Sequence, residues 1–373
     1  MREWLPEGHL AYFISEVVDG LNFSRLYASY ECASRGAPPF HPARLTKILF
    51  YGLCRGVYSS RKLSLATHED VAFRVLAAGN HPDFRTISEF RKRHLKSLAD
   101  LFLEVLKLCQ RAGLVSMKHL AIDGTKLLTN ASKHKAMSYS RLVEKEKELE
   151  AEIEKLLPQG LAADAKEDAA YGSDRRGDEL PEELATREKR LAKIREATAS
   201  LESEARARAA AEEAERAQKS AAQEASGKKP RGRKSKPPQT EPDAKAQRNF
   251  TDPESRIMKD ANKAFVQAYN GQVAVDADHQ IGVACELTNQ AADAPHLRGL
   301  IDKTLENTGQ KPEALSADAG YFSGDNIEMV EECEIDAYLP PDKQRRGKEP
   351  TLPSGIDPEK QSASDRQRAK LLT

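Results

Sequence analysis

The sequence predicts an α/β protein: a mixed sheet preceded by an all-α segment and interrupted by a long helical insertion. Three observations predict it. Apolar residues recur at threes and fours through the first 117 positions. Short β-rich runs alternate with helical patterns from 118 to 140 and again from 251 to 340. Between them, 141–225 is rich in Ala, Glu, Lys and Arg and poor in large apolar residues.

In residues 1–117, Leu45, Ile48, Leu49, Leu53 and Val57 mark one helical face. Leu98, Leu101, Phe102, Val105, Leu106 and Cys109 mark another, with Gly113 as its stop. Between them, Thr86 and Glu89 form a capping-box pattern opening a helix with Arg91, Lys92, Arg93 and Lys96. A short helix, a turn and a basic helix have the outline of a helix-turn-helix, for which DNA is the expected partner. The bland alternative is a solvated helix face.

Residues 118–130 read as a strand ending its apolar run at Asp123. In 141–225, Leu142, Leu149, Ile153 and Leu156 keep heptad-like spacing, as do Leu184, Leu191, Ile194 and Leu201. This predicts two long helices in a coiled-coil-like hairpin. Residues 226–250 are a basic linker, and Lys228–Lys236 holds six basic residues in nine. Arg231-Gly232-Arg233 resembles the core of a minor-groove hook, although Lys234 stands where proline is usual. A solvated linker with nonspecific phosphate affinity is the competing reading.

Phe265–Asp276 and Ile281–Leu287 read as a hairpin. A helix follows with Leu297, Leu300, Ile301 and Leu305 on one face, then a strand ending at Asp318. A helix near Asp325–Glu334 and a strand at Ile335–Leu339 complete the layer, leaving 341–373 as a polar tail. Asp252–Lys259 could set Arg256 and Lys259 near a phosphate, or could be a helix start capped by Asp252.

Composition narrows the function classes. The formal net charge of the 373 residues is zero, so bulk charge predicts no partner. Five dispersed cysteines without a CxxC pair suit reduced thiols in a cytoplasmic protein. No apolar run reaches the roughly eighteen residues of a membrane span. Asp123 and Asp318 are the candidate chemistry. Each closes an apolar run, and two carboxylates on adjacent strand ends would make half of a magnesium site for phosphodiester chemistry. Each alone is equally a turn former, and Asp123-Gly124 is a favoured turn dipeptide.

On Pro82–His94, His119–Ala136, Asp252–Asn289 and Ala317-Asp318-Ala319-Gly320-Tyr321-Phe322, the chain resembles DDE transposases of bacterial insertion sequences. The resemblance implies an RNase H-like catalytic domain with a helical insertion after its first catalytic strand. It makes Asp123 and Asp318 the first two acids of a triad holding Mg (or Mn). It implies strand cleavage at terminal inverted repeats and transfer to target DNA, by a homo-oligomer, without a covalent protein–DNA intermediate. The family's third acid is a glutamate on a later helix. Arg345 and Glu349 have a suitable spacing, but Pro340, Pro341, Gly347 and Pro350 argue against a helix there. The expectation is therefore a chain that ends before its triad is complete and has impaired strand transfer. A noncatalytic DNA-binding remnant and a stand-alone RNase H-like nuclease are the alternatives.

Overall fold

The computed structural model describes residues 3–30, 39–154, 182–225, 237–260, 262–341 and 362–371. The helical periodicity at the N-terminus becomes α1 (Leu10–Asp19), α2 (Ser24–Ala28), α3 (Pro42–Cys54), α4 (Ser60–Glu69), α5 (Val71–Leu76), α6 (Phe84–Arg93) and α7 (Leu95–Arg111). Proline opens α3, where its missing N–H costs nothing. Leu45, Ile48 and Leu49 pack with Ile14, Leu63 and Phe73 in one core. Leu53, expected on that face, is 57% exposed. It lies one residue before the end of α3.

Two details of the N-terminal reading are corrected. The cap of α6 is Asp83, whose carboxylate accepts the Arg85 N–H at 2.8 Å; Thr86 lies inside the first turn. The expected single face of α7 splits. Leu101 joins the N-terminal core and Leu106 the core of the sheet layer, while Phe102 is exposed. One helix thus belongs to both cores, and Gln110 Nε2 donates to the Thr308 carbonyl at 2.8 Å.

Six strands form the main sheet: β1 (His119–Leu128), β4 (Arg256–Lys259), β5 (Phe265–Asp276), β6 (Ile281–Thr288), β7 (Ala314–Ala317) and β8 (Asp336–Tyr338). The order is β4-β5-β1-β7-β8, with β6 also paired to β5. β1 runs antiparallel to β5 and parallel to β7, and β7 runs parallel to β8. The parallel crossovers are α10 (Leu297–Thr308) and α11 (Gly324–Glu332). Within α10, Leu297, Leu300, Ile301, Thr304 and Thr308 are buried, whereas the expected Leu305 is 48% exposed. The threonine hydroxyls tolerate burial by bonding the carbonyls one turn back, at 2.7 Å each.

At Asp252–Lys259 the expected helix start gives way to strand β4 (Arg256–Lys259), the neighbour of β5 opposite β1. Asp252 accepts the Ser255 N–H and the Tyr269 hydroxyl rather than capping a helix. Part of the expected polar tail is helical: α12 (Ala363–Leu371) packs on α11 and β8. Ser362 caps it, Asp365 lies in its first turn, and Arg368 and Lys370 in its last. Preceding prolines mask this helix in the sequence.

The insertion leaves the sheet through a two-stranded ribbon, β2 (Ala136–Ser138) with β3 (Gln247–Asn249). Helix α8 (139–154) and α9 (Glu182–Ala225) pack antiparallel, with Arg187 on Glu152, Arg195 on Glu146 and Glu150, and Tyr139 on Glu202. Leu142, Leu149, Leu191, Ile194 and Leu201 form their own core, with Ile153 partly buried against it. Leu156 falls outside the described residues.

Arg248 fastens this pair to the sheet. Its side chain is 3% exposed and donates to Ser200 Oγ and Glu204 Oε1 at 2.7 Å and to the Pro253 carbonyl at 2.6 Å. Arg248→Met should lower stability by about 1–3 kcal/mol, because it removes three hydrogen bonds worth roughly 0.5–1.5 kcal/mol each while water replaces part of them at the exposed partners. A thermal melt matching the parent would show that the pair needs no such anchor.

Candidate active site

The strand register brings Asp123 and Asp318 together. β1 pairs with β7 from His119↔Ala314 to Ile122↔Ala317, so the next residue on each chain is the aspartate. Hydrogen-bonded strands lie roughly 4.8 Å apart, which is the spacing of the two backbones there. Leu120, Ile122 and Leu315 are buried, so strand alternation assigns both aspartates to the opposite face. Both are exposed. One expectation is refined: β1 does not end at Asp123 but continues to Leu128. What stops there is the pairing with β7, leaving the carboxylates at an open notch in the sheet.

Each aspartate accepts a hydrogen bond from a following backbone N–H: Gly124 N donates to Asp123 Oδ1 at 2.7 Å, and Gly320 N to Asp318 Oδ1 at 2.8 Å. Among the described residues no hydrogen bond reaches the second oxygen of either. These are hard oxygen donors suited to Mg2+. Among the described residues no group of three or more His, Cys, Asp or Glu could hold a metal, so this pair supplies only part of a coordination shell.

A third carboxylate, Asp293, is the residue sequence reasoning missed. It lies in the loop after β6, where no spacing marks it. Its Oδ1 accepts from Asn270 Nδ2 at 2.7 Å, Gln272 Nε2 at 2.8 Å and Lys126 Nζ at 3.3 Å. The register explains the convergence: Gly124 stands opposite Gln272, and Lys126 opposite Asn270, on one face of the sheet. Burial alone would raise the Asp293 pKa. The bonds from Asn270 and Gln272 and the Lys126 ammonium outweigh it and hold the group below the usual carboxylate range.

Tyr321 closes the cluster from the Asp318 side. It is fully buried, and its hydroxyl donates to Gln272 Oε1. Burial, then the charges of Asp293, Asp123 and Asp318, push its pKa far up, so it stays neutral. The glycines after the two aspartates were the available signal. A Cβ on Gly124 would lie 2.7 Å from Gln272 Nε2 and 2.9 Å from Asp293 Oδ1. One on Gly320 would lie 2.9 Å from both Asp293 Oδ2 and Asp318 Oδ1.

The basic candidates are dispersed. Arg91 is committed internally, donating to the Tyr58 carbonyl at 3.0 Å and Ser60 Oγ at 2.6 Å. Lys92, Arg93 and Lys96 are exposed, with Arg93 3.7 Å from Glu89. Arg256 donates to Glu204 at 2.7 Å and to the Pro253–Ser255 carbonyls, joining the sheet to the insertion. Lys259 is exposed, its ammonium 5.2 Å from the Phe265 ring centre. Arg231, Arg233, Arg345 and Glu349 lie outside the described residues, and α12 contains no glutamate.

Two family models match the chain. One described as a transposase domain (DUF772) covers residues 1–93, and one described as a transposase DDE domain covers 232–371. Asp318 falls inside the second match; Asp123 lies before it, across the insertion. No curated protein and no solved structure matches the chain significantly.

Proposed function

Because the chain belongs to the DDE transposases of insertion sequences, we propose that it binds the double-stranded ends of its element, cuts them and joins them to target DNA, using Asp123 and Asp318 to hold Mg2+ or Mn2+. The observation that carries this reading is the parallel register, which sets two exposed carboxylates side by side from distant parts of the chain. When bound, the cation would polarise the scissile phosphate and lower the pKa of the attacking water or 3′-hydroxyl. The Gly124 and Gly320 N–H groups orient one oxygen of each aspartate, leaving the other for a ligand. Neutral Tyr321 adds no charge beside them and holds Gln272 in place. A further acidic ligand, from outside the described residues or from a partner subunit, would complete the shell.

The test is cleavage of a duplex carrying the element's terminal repeat, with Mg2+, with Mn2+ and with chelator. Metal-dependent nicking at the repeat boundary supports the proposal. Tight binding without nicking under any metal would favour a noncatalytic end-binding protein.

The N-terminal helices are the proposed end-recognition surface. Replacing Lys92 and Lys96 with alanine should weaken binding to end DNA and make the salt dependence shallower by one to two phosphate contacts, each about 0.9 in the log–log slope. Filter binding across a salt series reads this, and an unchanged slope removes the corner between α6 and α7 from the interface. Arg91 is left out because its internal bonds confound the result. No described helix is long and apolar enough to cross a membrane.

A further inference from the structure

We propose that Asp293 is a positioning residue: a single carboxylate wedged between strand β1 at Gly124 and the turn at Gly320 that sets the spacing of Asp123 and Asp318 without coordinating the cation. The inference rests on the metal-site reading above for its consequence, but on separate observations for its geometry.

The first observation is contact with both glycines. Asp293 Oδ1 lies 2.9 Å from the point where a Cβ of Gly124 would stand, and Oδ2 lies 2.9 Å from the corresponding point at Gly320. Gly124 follows Asp123 directly, and Gly320 donates its N–H to Asp318. One rigid group therefore abuts the backbone beside each candidate ligand. A shift of Asp293 toward either glycine must move the β1 backbone or the Gly320 turn, because neither has room to spare.

The second observation is why Asp293 stays put. Three donors from two strands converge on Oδ1, and Asn270 and Gln272 are fully buried. Gln272 is held in turn by the Tyr321 hydroxyl, and Asn270 by its bond to the Gln290 carbonyl at 3.2 Å. With Lys126 and two amides on Oδ1, that oxygen has no capacity left for a metal. Among the described residues Asp293 also forms no group of three metal-holding side chains with Asp123 and Asp318, which gives it the place of an outer-shell partner that orients ligands.

A third observation is the orientation of the Asn270 amide. Asn270 Oδ1 is buried without a hydrogen-bond partner, 3.3 Å from the Gly124 Cβ point. The amide spends its donor side on Asp293 and leaves its acceptor unpaired.

The test uses the full chain. Mn2+ affinity is measured by calorimetry for the parent, Asp293→Asn and Asp293→Ala. Amide hydrogen exchange of Gly124 and Gly320 is measured in metal-free protein. The expected result is a 10–100-fold loss of Mn2+ affinity in Asp293→Ala, a smaller loss in the isosteric Asp293→Asn, and unchanged stoichiometry. Both glycines should exchange faster in Asp293→Ala, although they are far apart in the chain. A merely structural role would slow or speed exchange throughout the sheet, not at these two glycines. Unchanged exchange at both glycines overturns the positioning role, as does a loss of Mn2+ affinity in Asp293→Ala well beyond 100-fold, which would make Asp293 a ligand. Faster exchange at both with no Mn2+ binding in the parent would instead overturn the metal-site reading and leave the positioning role standing.

Discussion

Asp123→Asn and Asp318→Asn are each expected to abolish metal-dependent cleavage while leaving the fold intact. The amide keeps the size of the side chain and can still accept the Gly124 or Gly320 N–H through its oxygen. It removes the charge that makes a hard cation bind there. Changing a partner that only orients a ligand typically costs roughly 10–100-fold in metal affinity or activity; losing a ligand should cost more. Both residues are exposed, so the replacements strand no buried group. Initial cleavage rates with Mg2+ and Mn2+, beside a thermal melt, make the comparison. Retained cleavage by Asp318→Asn at parental stability would remove this residue from the chemistry.

Gly124→Ala is expected to damage both stability and the site. In an ordinary strand, alanine for glycine gains roughly 0.5–1 kcal/mol from a stiffer unfolded chain and better strand packing. Here the sign reverses. The new methyl would stand 2.7 Å from Gln272 Nε2, 2.9 Å from Asp293 Oδ1 and 3.3 Å from Asn270 Oδ1. Side-chain ends usually swing away, but Asn270 and Gln272 are fully buried and hydrogen-bonded to the same carboxylate. Relief therefore breaks those bonds or moves β1 off β5. Overpacking of this kind costs about 1–3 kcal/mol. Because the displaced strand carries Asp123, Mn2+ affinity should fall as well. Gly282→Ala, where a Cβ meets nothing within 4 Å, is the matched control and should be neutral or slightly stabilising. Equal melting temperatures for the two variants would contradict the close approach at Gly124.

The elements were readable where local pattern and burial agree. Phe265–Asp276 emerges as β5 with the expected bounds, because alternation and β-branched residues act over neighbouring positions. The α3 and α11 helices follow for the same reason. Errors fall where burial depends on a distant partner. Leu53, Phe102 and Leu305 fit helical faces by spacing, yet each is exposed because no neighbouring element covers it. Strand β4 lacked a pattern of its own, because its four residues become a strand only by pairing with β5. Helix α12 was hidden by the prolines before it, although its own residues suit a helix.

The candidate site divides along the same line. Asp123 and Asp318 stood out because each follows a short apolar run that must be buried, and a carboxylate at such an end can remain wet. That much is local chemistry, written in consecutive residues. Asp293 could not be found this way. Its surroundings come from β1, β5 and the Gly320 turn, and its charge is held by Lys126, Asn270 and Gln272, which meet only when β1 and β5 pair in this register. Secondary structure follows from contacts within a few residues. The distance between two acids, and the identity of the third group that spaces them, follows from which strands become neighbours.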